Sequence, residues 1–105
     1  MMSAREDERR SAIHSTVGGV MTDDVGAVTG DLEIATHLLD AGLLDVRTRY
    51  AGAEEWYTVT GSPLSPGDRY PTADLHERVV EYLTTPGPIV GGNEEPTSLR
   101  EFTPA

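Results

Sequence analysis

The sequence predicts a small α+β domain with about three helices, a two-stranded β-hairpin and an extended C-terminal arm. Three observations predict this fold class. Several stretches carry apolar residues at helical spacing, one stretch alternates like a strand, and the end of the chain is rich in proline and glycine. The domain is predicted to span residues 1–85 and the arm residues 86–105. A chain of 105 residues is long enough for one domain with a modest core.

The first helix is predicted to begin at Ser3, because Ser3 and Glu6 form the S-x-x-E pattern of a capping box. Its apolar face follows at helical spacing: Ile13, Val17, Val20 and Met21. Gly18 and Gly19 interrupt this face. They indicate a helix end or close packing rather than a phosphate cradle, since no strand precedes them and no lysine follows.

The second and third elements are predicted on either side of Asp31. Residues 22–30 favour either a short helix capped by Thr22 or a loop. Residues 31–41 then predict the central helix, with Asp31 as its N-cap and Gly42 as the left-handed residue that ends it. The apolar residues of this helix share one wide face: Leu32, Ile34, Ala35, Leu38, Leu39 and Ala41.

Residues 45–61 predict the hairpin, because their side chains alternate between two faces. One face of the first strand holds Val46, Thr48 and Tyr50, and the other holds Arg47 and Arg49. Gly52 supplies the permissive backbone of the turn.

The last helix is predicted to follow a proline-rich loop and to begin after Thr72, which would cap it. Its apolar residues again fall at helical spacing: Leu75, Val79, Tyr82 and Leu83. Pro86 ends the helix and begins the arm.

Charge is the most informative feature of the composition. The chain has 18 acidic and 8 basic residues, a formal net charge of −10, and every basic residue is arginine. This excess of acid without lysine indicates a halophilic organism or a virus of one, with a GC-rich bacterium or its phage as the alternative. Such a surface repels nucleic acid, so we do not expect nucleic acid as the main partner.

The same sequence features exclude several classes of protein. There is no cysteine, hence no disulfide, no thiol nucleophile and no thiolate metal site. No apolar run approaches the length of a membrane span, and the N-terminal residues lack the hydrophobic segment of a signal peptide. The predicted location is therefore the cytoplasm or a virion, away from membranes.

No catalytic or metal-binding motif is present. His14, His37 and His76 lie beside acidic residues, but no H-E-x-x-H pattern or G-x-S-x-G elbow accompanies them. The aspartates within residues 22–31 lack the spacing of a calcium-binding loop. We therefore expect structural histidines, no metal, no cofactor and no enzymatic activity.

Residues 31–61 resemble the back half of a winged helix-turn-helix domain, in the segments HLLDAGLLDVR and EWYTVTG. The resemblance implies a DNA-binding transcriptional regulator in which Arg47 and Arg49 contact the DNA backbone. However, the helix predicted over residues 31–41 has no Arg, Lys, Gln or Asn to read bases, and the wing tip carries Glu54 and Glu55. DNA binding is therefore the alternative function.

The leading function rests on the arm, which carries spaced apolar residues suited to binding protein: Ile89, Val90, Leu99 and Phe102. Proline lowers the entropy that such a segment loses when it becomes ordered along a neighbouring subunit. Leu99 and Phe102 share one face of a single turn predicted over residues 97–102. The sequence thus predicts a non-catalytic structural or assembly subunit that binds other protein chains in a homo- or hetero-oligomer, such as a virion component.

Overall fold

The computed structural model describes residues 8–39, 42–65 and 71–103, and within these ranges the chain is mostly β. The described residues form eight strands and one helix: β1 (Glu8–His14), β2 (Val20–Thr22), β3 (Gly26–Val28), β4 (Asp31–Leu38), β5 (Leu44–Tyr50), β6 (Tyr57–Thr58), α1 (Thr72–Leu83), β7 (Ile89–Val90) and β8 (Asn93–Glu94). The capping box predicted at Ser3 and Glu6 lies outside the described residues.

The main sheet is antiparallel, with strand order β1-β4-β5-β6. Its register places Ser11 of β1 opposite Ile34 of β4, and Ile34 opposite Thr48 of β5. Because side chains alternate along each strand, one face collects the apolar residues and the other collects the charged ones. We call these the inner face and the outer face of the sheet.

The hydrophobic core lies between the inner face, helix α1, the β2–β3 hairpin and the end of the chain. Its buried members are Val20, Val28, Leu32, Ile34, Leu44, Val46, Val59, Leu75, Val79, Leu83 and Leu99. Helix α1 is also joined to the sheet by polar contacts. His76 of α1 forms a hydrogen bond with Ser11 at 2.7 Å and another with Thr36 at 2.8 Å. The helix is thereby fixed over the two strands β1 and β4.

The predicted central helix is wrong, because residues 31–38 form strand β4. The same apolar residues that suggest a helix also alternate with a period of two, and Leu32, Ile34 and Thr36 are all completely buried. Strand β4 pairs with β1 on one side and with β5 on the other, so its backbone groups form hydrogen bonds along both edges. This pairing favours the strand over the helix that the same apolar residues allow. The resemblance to a winged helix fails at the same place, because β4 occupies the position of the recognition helix.

The first predicted helix and the helix-or-loop segment are also strands in the structure. Strand β1 replaces the described part of the first helix, and β2 and β3 form a hairpin around residues 23–25. Val17 and Val20 lie at helical spacing, yet Val17 is 86% exposed and Val20 is completely buried. The α+β class with about three helices is therefore replaced by a mostly β fold with one helix.

The predicted hairpin and the last helix are both present. Strands β5 and β6 are antiparallel, with Val46 and Thr48 buried, and Gly52 has the positive φ of 83° required by the connecting turn. Helix α1 buries Leu75, Val79 and Leu83 as its spacing predicts. The capping prediction for Thr72 is wrong, because Pro71 is the N-cap and no described side chain caps the helix.

The residues predicted as an arm continue the fold as far as residue 103. Thr97 lies beside β2, where its N–H donates to Gly19 O at 2.8 Å and its C=O accepts from Met21 N at 2.7 Å. Leu99 N donates to Thr60 O at 2.8 Å. The β7–β8 hairpin lies before these residues in the chain. We call residues 86–103 the C-terminal segment.

Candidate protein-binding surface

The β7–β8 hairpin is a tight structure that displays two aliphatic side chains. Ile89 pairs with Glu94 and Val90 pairs with Asn93. The turn between the strands is Gly91–Gly92, with positive φ values of 61° and 87° at the two central positions, a combination that suits two-residue hairpin turns. The turn chemistry therefore fixes the hairpin, and each strand is only two residues long.

The hairpin is anchored to the loop of residues 15–19. Gly18 N donates to the Glu94 carboxylate at 2.9 Å. A Cβ atom on Gly18 would lie 2.5 Å from the backbone oxygen of Glu95, so the two backbones approach too closely for any side chain at residue 18. The close-packing interpretation of this glycine is thus confirmed. This contact holds the loop beside the hairpin.

Three aliphatic side chains stand exposed on these two neighbouring segments. Val17 is 86% exposed, Ile89 66% and Val90 56%, which makes them the three most exposed large apolar residues described. Val17 and Glu94 also line one open cavity, which places the loop beside the hairpin. We call Val17, Ile89 and Val90 the apolar tip.

Leu99 and Phe102 occupy different surroundings from Ile89 and Val90. Leu99 is 2% exposed and belongs to the hydrophobic core of this same chain. Phe102 is half-buried and packs edge-to-face on Tyr82 of α1, with ring centroids 5.2 Å apart. Residues 97–102 contain the predicted turn, with Phe102 N donating to Leu99 O at 3.2 Å, but the groove that receives its two side chains is intramolecular.

Arg47 and Arg49, the residues of the DNA-binding alternative, lie on the outer face of the main sheet and are paired with acids. Arg47 Nε donates to Asp45 at 2.8 Å. Arg49 donates to both carboxylate oxygens of Glu33, at 3.1 and 3.3 Å. Each cation is neutralised by a neighbouring carboxylate, which weakens its attraction for a phosphate backbone.

Trp56 lies on the same outer face and contacts two arginines, an arrangement that the sequence does not predict. Two guanidinium groups lie over its ring, Arg49 at 4.5 Å and Arg10 at 5.2 Å from the centroid. The register of the hairpin, which pairs Thr48 with Tyr57, places Trp56 on the arginine side, and Arg10 comes from a segment predicted as a helix. Alternation along the sequence separates Trp56 from Tyr57 but does not set this register.

A serine, a histidine and a threonine form a hydrogen-bonded chain beneath α1. The Ser11 hydroxyl bonds to Nε2 of His76, and Nδ1 of the same ring bonds to the Thr36 hydroxyl. This order resembles a nucleophile, a base and an orienting group. However, His76 is only 6% exposed, and the group bonded to Nδ1 is a hydroxyl rather than a carboxylate. Burial, more than any other cause, lowers the pKa of His76, so folding favours the neutral ring.

The acidic residues near the β2–β3 turn hold backbone and side-chain donors instead of converging on an ion site. Asp24 accepts from Thr58 N at 2.7 Å, and Asp23 accepts from the Thr60 hydroxyl at 2.9 Å. Asp31 lies elsewhere, beside His14 at 2.9 Å. Within residues 8–39, 42–65 and 71–103, no group of three or more His, Asp or Glu side chains is arranged to hold a metal ion.

Comparison of the chain with protein-family models, with curated proteins and with solved structures found no match. In the part of the chain that the structure describes, no helix is long and apolar enough to cross a membrane. The function of the chain is therefore inferred from its own surfaces.

Proposed function

We propose that this protein is a non-catalytic assembly subunit that binds another protein chain through the apolar tip. The observation that carries the proposal is the exposure of Val17, Ile89 and Val90 on two segments that pack against each other. Isolated exposed aliphatic residues are common on protein surfaces, whereas neighbouring ones typically mark sites of contact with other proteins.

The tip is supported rigidly, which favours binding. A hairpin with two residues in each strand is not stable alone, but this one is tied to the domain through Glu94, which accepts from Gly18 N at 2.9 Å. Within the hairpin, Glu95 N donates to Pro88 O at the same distance and extends its backbone pairing. A surface that is already ordered loses less entropy on binding.

The energy available from the tip suits a moderate contact. Complete burial of a Val or Ile side chain contributes roughly 1.5–3 kcal/mol, so three such side chains can decide whether a subunit contact holds. The net charge of −10 opposes association at low ionic strength. We therefore expect assembly to be favoured by salt, as in a salt-rich cytoplasm or in the virion of a virus that infects such a host.

The DNA-binding alternative has no observation in its favour. Its recognition helix is the strand β4, and both of its candidate cations are paired with carboxylates. The enzymatic alternative gains no support from the Ser11–His76–Thr36 chain, because His76 is buried between α1 and the sheet.

The proposal is tested by isolating the complex that the tip forms in cells that naturally make the protein. Wild type, Ile89→Ser with Val90→Ser, and the control Val25→Ser are tagged and purified at high salt, and native mass spectrometry measures the stoichiometry. Val25 is also exposed, at 54%, but it lies in the β2–β3 turn. We expect one protein, either this chain or another, to be present in stoichiometric amount with wild type and with the control and to be absent with the tip variant. A complex that survives the tip substitutions, or a wild-type chain without any stoichiometric partner, contradicts the proposal.

A further inference from the structure

In the part of the chain that the structure describes, strand β1 forms an open edge of the main sheet. It pairs with β4 on one side, and among the described residues no strand and no backbone hydrogen bond meets its other side. The opposite edge of the sheet is covered. Beyond β6, Asp23 N donates to Thr58 O at 2.9 Å. Thr60 N likewise donates to Met21 O at 3.0 Å. The two edges therefore differ in whether their backbone groups have partners.

The hydrogen-bonding pattern identifies the backbone groups that β1 presents. Ser15 N donates to Gly30 O at 2.9 Å, and this pair continues the register between β1 and β4. Hydrogen-bonded and non-hydrogen-bonded pairs alternate along an antiparallel ladder. Counting back from Ser15, the N–H and C=O groups that point away from β4 belong to Glu8, Arg10, Ala12 and His14. The bond from Ala51 N to Asp31 O, at 3.0 Å, gives the same alternation from the β5 side.

We propose that this open edge binds a second copy of the chain. The two β1 strands pair antiparallel around a two-fold axis at Ser11 and join both main sheets into one. Every outward N–H and C=O of β1 then finds a partner. This surface is distinct from the apolar tip, so the inference goes beyond the proposed function.

The side chains of β1 suit this register. On the outer face Glu8 lies opposite His14 of the second copy, where the carboxylate can accept an N–H from the imidazole. Arg10 lies opposite Ala12 of the second copy, so no two like charges face each other. In the alternative register whose two-fold axis passes through Arg10, the Arg10 side chains of the two copies face each other, so this register is disfavoured. Arg9 and Arg10 also give β1 a net positive charge in a chain whose net charge is −10, so two copies repel each other less here.

The inner face at the axis carries acidic residues of both copies. Ser11, Glu77 and Glu81 line one open cavity beside β1, so the two-fold axis brings the acidic sides of both α1 helices to the boundary, and their repulsion makes the dimer dependent on salt. Arg9 of the second copy lies two positions from the axis on this inner face. This cation offsets part of the repulsion.

The first experiment measures dimerisation of the full chain by sedimentation equilibrium at high salt, with the variants Ala12→Pro and Ala12→Thr. Proline removes an outward N–H and is tolerated at edges where that group faces solvent. Threonine keeps the N–H and favours strands. We expect wild type and Ala12→Thr to dimerise alike and Ala12→Pro to dimerise about tenfold more weakly or worse, because the two-fold axis duplicates the lost donor. A monomeric wild type at every concentration overturns the inference, and so does an Ala12→Pro variant that dimerises as wild type does.

Amide hydrogen exchange of the wild type tests the inference even if Ala12→Pro fails to fold. The outward amides of Arg10, Ala12 and His14 should exchange more slowly as protein concentration rises. The amides of Ser11 and Ile13, which are bonded to β4 in a single copy, should already be protected at the lowest concentration. Outward amides that exchange at the same rate at all concentrations overturn the pairing.

The failure of this inference can be distinguished from the failure of the proposed function. The tip variant Ile89→Ser with Val90→Ser should keep the dimer that Ala12→Pro weakens, and Ala12→Pro should keep the complex formed by the tip. If the tip variant abolishes the dimer while Ala12→Pro preserves it, the second copy binds at the tip and the edge pairing is wrong.

Discussion

The two halves of the C-terminal segment each carry two large apolar residues but place them in opposite environments. Residues 86–94 hold Ile89 and Val90 among prolines and glycines, and residues 97–102 hold Leu99 and Phe102 among polar residues. In the first half Ile89 and Val90 are more than half exposed, while in the second half Leu99 is almost completely buried. The difference lies in what each half pairs with. The first half forms a hairpin with itself, and the second runs beside β2 and Thr60, where it closes the core.

This comparison shows that apolar residues in a proline-rich terminus do not by themselves identify a site for a partner. The same kind of residue completes the core where the backbone can join an existing strand, and remains exposed where the backbone is satisfied locally. The apolar tip is a candidate site because its hairpin leaves Ile89 and Val90 no neighbour in the core.

The largest effect is expected from Leu99→Ala. Deletion of a buried leucine side chain typically costs about 2–5 kcal/mol of stability, so urea denaturation should show a large decrease in the free energy of unfolding. Ile89→Ala is the matched control from the exposed half and should change stability little. Similar losses for the two variants would mean that the two halves do not differ in burial as the structure indicates.

A smaller loss is expected from Gly18→Ala, which tests the contact that holds the hairpin. The added Cβ would meet backbone oxygens of Glu94 and Glu95 at 2.7 and 2.5 Å, and backbone atoms cannot move aside as a flexible side chain can. Overpacking of this kind typically costs about 1–3 kcal/mol. Val17→Ala is the control on the adjacent exposed residue. If thermal unfolding of Gly18→Ala matches wild type, the hairpin is not anchored at this loop.

The smallest expected effect is a loss of stability at acidic pH, which should affect the buried core and not the exposed hairpin. Burial of His76, assisted by the nearby Arg9 and opposed by Glu77, lowers its pKa below the ordinary value of 6.5. The unfolded chain therefore binds this proton at a higher pH than the folded chain does. Stability from the neutral ring is present above pH 6.5 and decreases as the pH falls from 6.5 towards the lower pKa of the folded state.

This pH dependence should be visible in amide exchange. The amide of Leu99, which is bonded within the core, should lose protection as the pH falls through that window, after correction for the intrinsic exchange rate. Amides of the β7–β8 hairpin, which open locally, should not. His76→Gln should flatten the dependence and His14→Gln should leave it. An unchanged dependence in His76→Gln would assign the effect to other groups.

Only part of the candidate site was accessible from the sequence. Ile89 and Val90 were predicted as binding residues and are exposed, but their role in binding stays a prediction. Val17 was not predicted, because helical spacing placed it on an apolar face. Leu99 was predicted on the same grounds as Ile89, since nothing in its local sequence shows that Thr60 and β2 offer its backbone a place beside them.

The sequence by itself determined the features that depend on local chemistry. Alternation identified the strand β5 and its partner, apolar spacing identified α1, and the Gly91–Gly92 pair excluded a helix where the β7–β8 turn forms. Tertiary structure decided the rest. Residues 31–38 fit a helix and a strand equally well by pattern, and β1 and β5 made them a strand by pairing on both sides. Tertiary structure also buried Leu99 in the second half of the C-terminal segment and left Ile89 and Val90 of the first half exposed. Only the second half lies beside β2 and Thr60, where its backbone forms hydrogen bonds and its side chain fills the core.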